Sequence, residues 1–462
     1  MNRTENTGAD RAHAVVVGGS IAGLLAARVL SDHFGRVTVL EQDRLESGPA
    51  VRKGTPQAQH IHGLLDRGAG ILERLFPGIF QEIQAEGGST AELGPDVLFY
   101  QVGRWKPRTP TGVVNQLHSR PLLEWTIRRR LAAVQNVGTL RGTVLGFTAS
   151  ADRARITGVR LRTESGEEVS EPADLVVDAS GRGSRTPGWL EALGYPRVEE
   201  NEIRVDVGYS TRVFHTPPRQ RDWKFMLVLP QPPGQRQMGV IAPIEGNRWI
   251  VTLAGWLKDY PPADGDGFLE HARSLPVPDL YEAIRHAEPQ GPVVTHRFPS
   301  NLRRRYERMR RFPEGLAVVG DAQCSFNPVY GQGMTSAALG AEALDECLRR
   351  QRGAVPLKRL RERIAAAADA PWDISTGGDL CYPEVQGPRG AGHAFISWYV
   401  TKVQEVSSWD PLVFTRFGQA THLNRSPASL FAPAVLGRVL SFALFGKSPE
   451  KAPVPVLAQR EG

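Results

Sequence analysis

Apolar residues run unbroken through Val15, Val16 and Val17 and stop at a glycine, the pattern of a strand buried on both faces of a parallel sheet. Ile21, Leu24, Leu25 and Leu30 then recur at helical spacing, and RVTVLE, Arg36 to Glu41, is a second strand that ends in an acid. The result is a strand, glycine turn, helix and strand, and right-handed crossover rules put both strands in one sheet. VRKGTPQAQHIHG, Val51 to Gly63, is rich in turn residues and predicts a loop leading into a helix near Leu64 to Phe76. Between Ile203 and Trp256 the period changes. IRVDVGYSTRVF, KFMLVLP, QMGVIAPI and RWIVTLAGW, separated by turns such as QPPGQ, predict an inserted antiparallel sheet. The buried-strand style returns in GLAVVGDA, Gly315 to Ala322. Helical spacing follows from about Gly333 to Arg350, and the tail beyond Leu357 is mostly helical.

The first turn, AVVVGGSIAGLL, has Gly18 and Gly23 where a GxGxxG phosphate-binding turn needs them, but Ser20 stands in place of the middle glycine. Serine is the smallest polar substitute, its hydroxyl can donate to a phosphate oxygen, and the helix N-terminus still supplies partial positive charge. Glu41, about twenty residues on, ends the second strand where a carboxylate accepts both hydroxyls of an adenosine ribose. In GLAVVGDAQCSFNPVYGQGMTSAALGAEAL a second strand delivers Asp321, and a proline-glycine turn leads into a helix whose first amides lie beside Gly331, Gly333 and Met334. An acid for a sugar-like hydroxyl thus stands near a positive helix end suited to an electron-rich ring carbonyl.

Composition narrows the picture. With 462 residues, 41% of them hydrophobic, the chain can bury a large core in two or three domains. The net charge of +7 comes from scattered arginine rather than a clustered footprint, which argues against nucleic acid. Its two dense runs, TIRRRL and NLRRRYERMRR, are expected to form solvated helix faces. Cys324, Cys347 and Cys381 match no zinc or CxxC spacing, and three cysteines suit a reducing cytoplasm. His60 and His62 lack a third ligand nearby, so a structural or cofactor-adjacent role is expected rather than a metal. The N-terminus has no secretory pattern, and no stretch reaches the roughly 20 apolar residues of a membrane-spanning helix. LFAPAVLGRVLSFALFG, interrupted by Pro433 and Arg438, predicts a C-terminal helix packed on the body, with interfacial membrane contact as the alternative.

The two glycine-rich motifs together resemble the FAD-dependent monooxygenases of the para-hydroxybenzoate hydroxylase fold. RKGTPQAQHIHG, VVDASGRGS and FNPVYGQGM are most similar to the bacterial flavin epoxidases of polyether biosynthesis, typified by the lasalocid and monensin epoxidases. The resemblance runs from about His13 to Arg350. It implies an α/β fold with a Rossmann-like FAD-binding domain (residues 12–80, 116–200 and 296–355), an inserted antiparallel-sheet substrate domain (81–115 and 201–295) and a mostly helical C-terminal region (356–462). It further implies that Gly18, Ser20 and Gly23 hold the pyrophosphate, Glu41 the adenosine ribose, Arg120 the FAD, and Val144 the adenine through its backbone. Asp321 would bind the ribityl chain, and Pro328, Gly331, Gly333 and Met334 would border the isoalloxazine ring. DASGRGSR, Asp178 to Arg185, takes the place of the family's middle motif. Its Ala-Ser insertion between aspartate and glycine leaves a nicotinamide contact and a plain tight turn as equal readings.

The function this resemblance implies is that of an enzyme in which NAD(P)H reduces FAD, oxygen adds at flavin C4a, and the hydroperoxide oxygenates an apolar polyketide or terpenoid of secondary metabolism, antibiotic biosynthesis included. No second GxGxxG turn is present, so the nicotinamide visits transiently, and no catalytic side chain is required because the cofactor does the chemistry. An alkene is epoxidised without a general base, whereas a phenol profits from one. Phe214, Phe225, Met238, Trp249 and Trp256 are the candidate substrate contacts of the inserted sheet. Aromatic hydroxylation is the alternative. A flavin-dependent halogenase, a redox-neutral flavin cyclase and a non-catalytic flavin scaffold come after it. The halogenase reading lacks the support of a WxWxIP stretch. The substrate arrives free or tethered to a carrier protein.

Overall fold

The computed structural model describes residues 12–218, 221–349 and 357–446. Two sheets organise it. The first has seven strands in the order Leu316–Val318, Leu175–Asp178, His13–Val17, Arg36–Glu41, Val137–Ala149, Ile156–Thr163 and Glu168–Pro172. The first five are mutually parallel and the last two turn back antiparallel. Val15 and Val16 are wholly buried because the sheet is covered on both faces, as their unbroken apolar run requires. One face carries the helices Ile21–Leu30, Arg120–Ala132 and Gln332–Arg349; the other packs Phe147, Val159, Leu190 and Tyr306.

The second sheet has eight strands: Cys324–Ser325, Pro289–Arg304, Glu200–His215, Arg248–Gly255, Gln237–Ile244, Phe225–Val228, Val97–Gln101 and Arg104–Trp105. Neighbours are antiparallel except Phe225–Val228 beside Val97–Gln101. The strand Pro289–Arg304 runs across residue 296, and Arg304 at its end bonds the Ala322 carbonyl. The sheet's period of two sorts its residues. Its outer face (Phe214, Met226, Trp249, Val251) packs on the helices Gly265–Arg273 and Asp279–Ile284. Its inner face (Tyr209, Met238, Val240, Trp256) looks toward Val329 and the C-terminal helices.

One expectation changes on folding. NLRRRYERMRR is the end of a strand and a 3-10 turn, not a helix, and Arg303 and Arg304 are buried. Arg303 bonds the Ala365 carbonyl and Asp369, while Arg304 bonds Glu200 and the carbonyls of Ala322 and Arg182, so these cations join segments instead of facing water. TIRRRL lies on a helix, with Arg129 and Arg130 at its surface, where both pair with Glu82. The helix Pro433–Phe445 packs through Val435 and Val439 against Tyr399 and Val403, with Leu444 and Phe445 exposed at its end. No described helix is long and apolar enough to cross a membrane.

Candidate active site

At the carboxyl edge of the parallel strands three turns converge, the place where open α/β sheets bind ligands. Gly18 has φ +103°, and a Cβ there would stand 2.6 Å from the Ala179 carbonyl oxygen; at Gly23 it would stand 1.8 Å from the Gly18 carbonyl oxygen. Glycine is required at both, and the helix Ile21–Leu30 thereby starts directly above the first strand. Gly320, φ +61°, brings the Asp321 turn against Ala22 of the same helix.

Ser20 is the N-cap residue of that helix, but its hydroxyl donates to Glu124 Oε2 at 3.2 Å and accepts from Arg120 at 2.8 Å. The expected free hydroxyl is therefore already committed to protein. Glu124 stands one helical turn beyond Arg120 and takes both Arg120 and Arg52. Arg52 also reaches Glu41 at 3.0 Å and Asp43 at 3.1 Å, and Glu41 accepts the Gly19 amide. Burial opposes the charge on Arg52, and Glu124 with Glu41 outweighs it, holding the guanidinium above its ordinary value. Burial likewise works against the Glu124 carboxylate, which Arg120 and Arg52 hold below the usual range. One nitrogen stays unanswered: Arg120 Nε is buried with no partner among the described residues. An orphaned guanidinium N–H beside a helix N-terminus fits a phosphate.

Beyond Glu41 an open cleft of about 450 Å3 is lined by Glu41, Asp43, Arg44, Leu45, Thr139, Arg141 and Glu164. It has room for a nucleoside. Val144 lies farther along the same strand, paired with Leu161 and packed on the core around Phe147. On the other side Asp321 is exposed to solvent yet ringed by protein, and its carboxyl has no hydrogen-bond partner among the described residues. The protein packed around it pushes that carboxyl up, and Arg120 and Arg182 pull it part way back. Pro328 and Gly331 belong to a 3-10 turn, Pro328–Tyr330 closed by Gly331 at φ +66°, that precedes the helix Gln332–Arg349. A Cβ at Gly333 would meet nothing within 4 Å, so this end of the helix is open; Met334 turns its side chain into the core. The residues present thus fit a flavin dinucleotide along their whole line.

In the middle motif Asp178 is fully buried and accepts the Ser180 amide and the hydroxyls of Ser180, Ser184 and Thr186. The aspartate builds a turn, and Arg182 leans from it toward Ser300, Ser325 and Asp321. Of the five sheet residues expected at substrate, Phe225, Met238 and Trp256 face inward with Val329, while Phe214 and Trp249 pack behind the sheet on Phe268 and belong to that core. The inner face also brings Tyr209 and His296, which sequence reasoning does not single out, beside His60. His60 bonds Thr211 at 2.7 Å, and its ring lies 6.2 Å from Tyr209 and 5.8 Å from His296. Burial, with the neighbouring His296, lowers His60 to about 4, and burial also lowers His296 and raises Tyr209, so all three are neutral near pH 7. His62 sits by Arg120 and Glu124, held neutral chiefly by burial at about 3. Among the described residues no three metal-ligating side chains come together.

Sequence reasoning does not single out Arg52 or Glu124, although Arg52 lies inside RKGTPQAQHIHG and Glu124 at helical spacing from Arg120. No family model matches the chain. It is 34% identical over 391 residues to Protein Rv3254 of Mycobacterium tuberculosis, covering 82% of each chain. It is 28% identical over 360 residues to kynurenine 3-monooxygenase of Salinispora tropica, covering 73% of each. Among solved structures, p-nitrophenol 4-monooxygenase from Pseudomonas putida superposes with TM-score 0.59 at 16% identity, covering 93% of this chain and 98% of that one. The flavin-dependent brominase Bmp2 does so with TM-score 0.58 at 16% identity, covering 93% and 92%. The fold is that of the flavin-dependent monooxygenases.

Proposed function

This chain belongs to the same family as Protein Rv3254 of Mycobacterium tuberculosis, and from that starting point we propose that it is an FAD-dependent monooxygenase that oxygenates an apolar small molecule. The observation that carries the reading is Arg120 Nε, buried beside the first helix with no partner among the described residues, with the Asp321 carboxyl in its electrostatic reach. A dinucleotide answers both at once. Arg120 and the first amides of the helix Ile21–Leu30 would hold the pyrophosphate, Glu41 the adenosine ribose, and Asp321 the ribityl hydroxyls. Pro328, Gly331, Gly333 and the Met334 backbone would border the ring, where the N-terminus of Gln332–Arg349 favours negative charge. Val144 keeps its proposed backbone contact with adenine at the far end.

Bound FAD supplies the redox chemistry, taking a hydride from NAD(P)H and activating oxygen. The chain's own part is to bind the cofactor, exclude water and place the substrate over the ring. The inner sheet face, with Phe225, Met238 and Trp256 among its apolar groups, is the proposed substrate wall. His60, Tyr209 and His296 stand on this wall as neutral groups. Epoxidation of an alkene, as in a polyketide or terpenoid, is the leading reading because RKGTPQAQHIHG, VVDASGRGS and FNPVYGQGM resemble the flavin epoxidases, and electrophilic oxygen transfer to an alkene needs no general base. The likeness to kynurenine 3-monooxygenase supports aromatic hydroxylation as the second reading.

Incubation of the FAD-loaded protein with NAD(P)H, isotopically labelled oxygen and paired alkene and phenol substrates separates these. One labelled oxygen atom in an epoxide is the expected product. Label only in phenols makes the protein a hydroxylase, and a product whose mass follows added bromide makes it a halogenase.

A further inference from the structure

We propose that Asp379, from the helical C-terminal region, is a positioning residue that holds the flavin-bordering loop in register with the inner sheet face. The proposal rests on the reading that Pro328 to Gly331 borders the ring. Asp379 ends the helix Asp369–Asp379 and is wholly buried. Its Oδ1 accepts from Trp256 Nε1 at 2.9 Å, Asn327 Nδ2 at 2.9 Å and the Tyr330 hydroxyl at 3.0 Å; its Oδ2 accepts from Asn301 Nδ2 at 2.7 Å. Two donors come from strands of the substrate sheet or their ends, two from the loop. Four donors and no acceptor suit a carboxylate, which is acceptor-only when ionised. Burial pushes this carboxyl up and the donors from Trp256, Asn301, Asn327 and Tyr330 oppose it.

The contacts close on themselves. Asn301 Oδ1 accepts the Asn327 amide at 2.6 Å, and Asn327 Oδ1 accepts the Tyr209 hydroxyl at 2.8 Å and the Val329 amide at 3.3 Å. Every polar atom of the two asparagines that faces this knot therefore has an assigned direction. At Gly378 a Cβ would stand 2.4 Å from the Tyr330 hydroxyl, so glycine lets the tyrosine reach the carboxylate. Loop, sheet and C-terminal region share one buried charge, and moving any of them costs the other two a charge-assisted bond.

This geometry gives a test by exchange of the charge. In Asp379→Asn an amide N–H₂ must face either Asn301 Nδ2 or the three donors at Oδ1, and Asn301 has no freedom to flip because its Oδ1 is needed by the Asn327 amide. In the double variant Asp379→Asn with Asn301→Asp the carboxylate moves one residue across the same bond. The carboxylate at position 301 then accepts both the Asn327 amide and the new amide at position 379, and every contact is restored. Tyr330→Phe removes a single donor.

The variants are compared with wild type as FAD-loaded proteins, by visible flavin spectrum and midpoint potential, and as flavin-free proteins, by amide hydrogen exchange over Phe326 to Gly333. For Asp379→Asn we expect a perturbed flavin spectrum, a lower midpoint potential as the helix end withdraws from the ring, and exchange faster by about tenfold or more, the loss of one charge-assisted bond. Tyr330→Phe should shift the same observables less, and the double variant should return all three toward wild type. Unchanged spectrum, potential and exchange in Asp379→Asn overturn the assignment, as does a folded double variant no closer to wild type. If Asp379→Asn does not fold, the double variant and Tyr330→Phe decide by the same criteria. A wild-type protein that takes up no FAD overturns the monooxygenase reading, and the assignment with it; wild type that binds FAD normally while the variants show no change overturns the assignment alone.

Discussion

Arg120 spends one nitrogen on Ser20 and Glu124 and leaves Nε buried without a partner among the described residues. Replacing it by methionine keeps most of the apolar stem and removes the donors. FAD affinity should fall by about tenfold to a hundredfold, the range of one or two charge-assisted bonds, in a fluorescence titration. An unchanged affinity would move the phosphate site elsewhere. The histidines make a pH prediction. His60 and His422 are both buried and lowered to about 4, mainly by desolvation. An unfolded imidazole takes its proton near pH 6.5 while the folded one refuses it until about pH 4. The unfolded chain therefore binds more protons in that window, and stability is lost as pH falls from about 6.5 toward 4. Thermal midpoints across this range should drop more gently in His60→Gln than in wild type.

At the scale of the element, the turn after Leu175–Asp178 illustrates what sequence can convey. The run of apolar residues predicts the strand, and DASGRGSR reads as a turn, but its spacing does not say what the aspartate does. Folding turns Asp178 onto the hydroxyls of Ser180, Ser184 and Thr186, and sets Ala179 beneath Gly18. Asp178→Ala strands these donors and should cost about 3 kcal/mol in denaturant unfolding. A loss well below 1 kcal/mol would show that the turn holds without them. The strands and the two glycine turns are legible in the sequence because burial on two faces and close backbone approach leave few residue choices. Less legible are pairings between remote segments: Arg52 with Glu124, Arg303 with Asp369, and Asp379 with Asn301 and Asn327. Charge alone cannot tell a buried bridge from a solvated run, which is why NLRRRYERMRR reads as a surface helix until its strand is seen. Phe214 and Trp249 fail as substrate contacts for a related reason: aromatic content identifies the sheet, but only register assigns the face.

The whole molecule joins a mostly parallel sheet whose carboxyl edge is the proposed dinucleotide site, an antiparallel sheet with an apolar inner face, and a helical C-terminal region packed against both. Its scattered arginines serve this joining. Arg304 ties the sheet strand to Ala322 and Arg182, and Arg52 and Arg120 brace Glu41 and Glu124 beside the first helix. Everything proposed for this chain depends on the cleft holding FAD as the agent of oxygenation. Its occupancy can be read from the flavin content of the folded protein, titrated with FAD, freed of excess and quantified by absorbance after denaturation. Wild type should carry equimolar FAD, and Arg120→Met should show a marked loss. Folded wild-type protein that retains no flavin would contradict the assignment of the cleft.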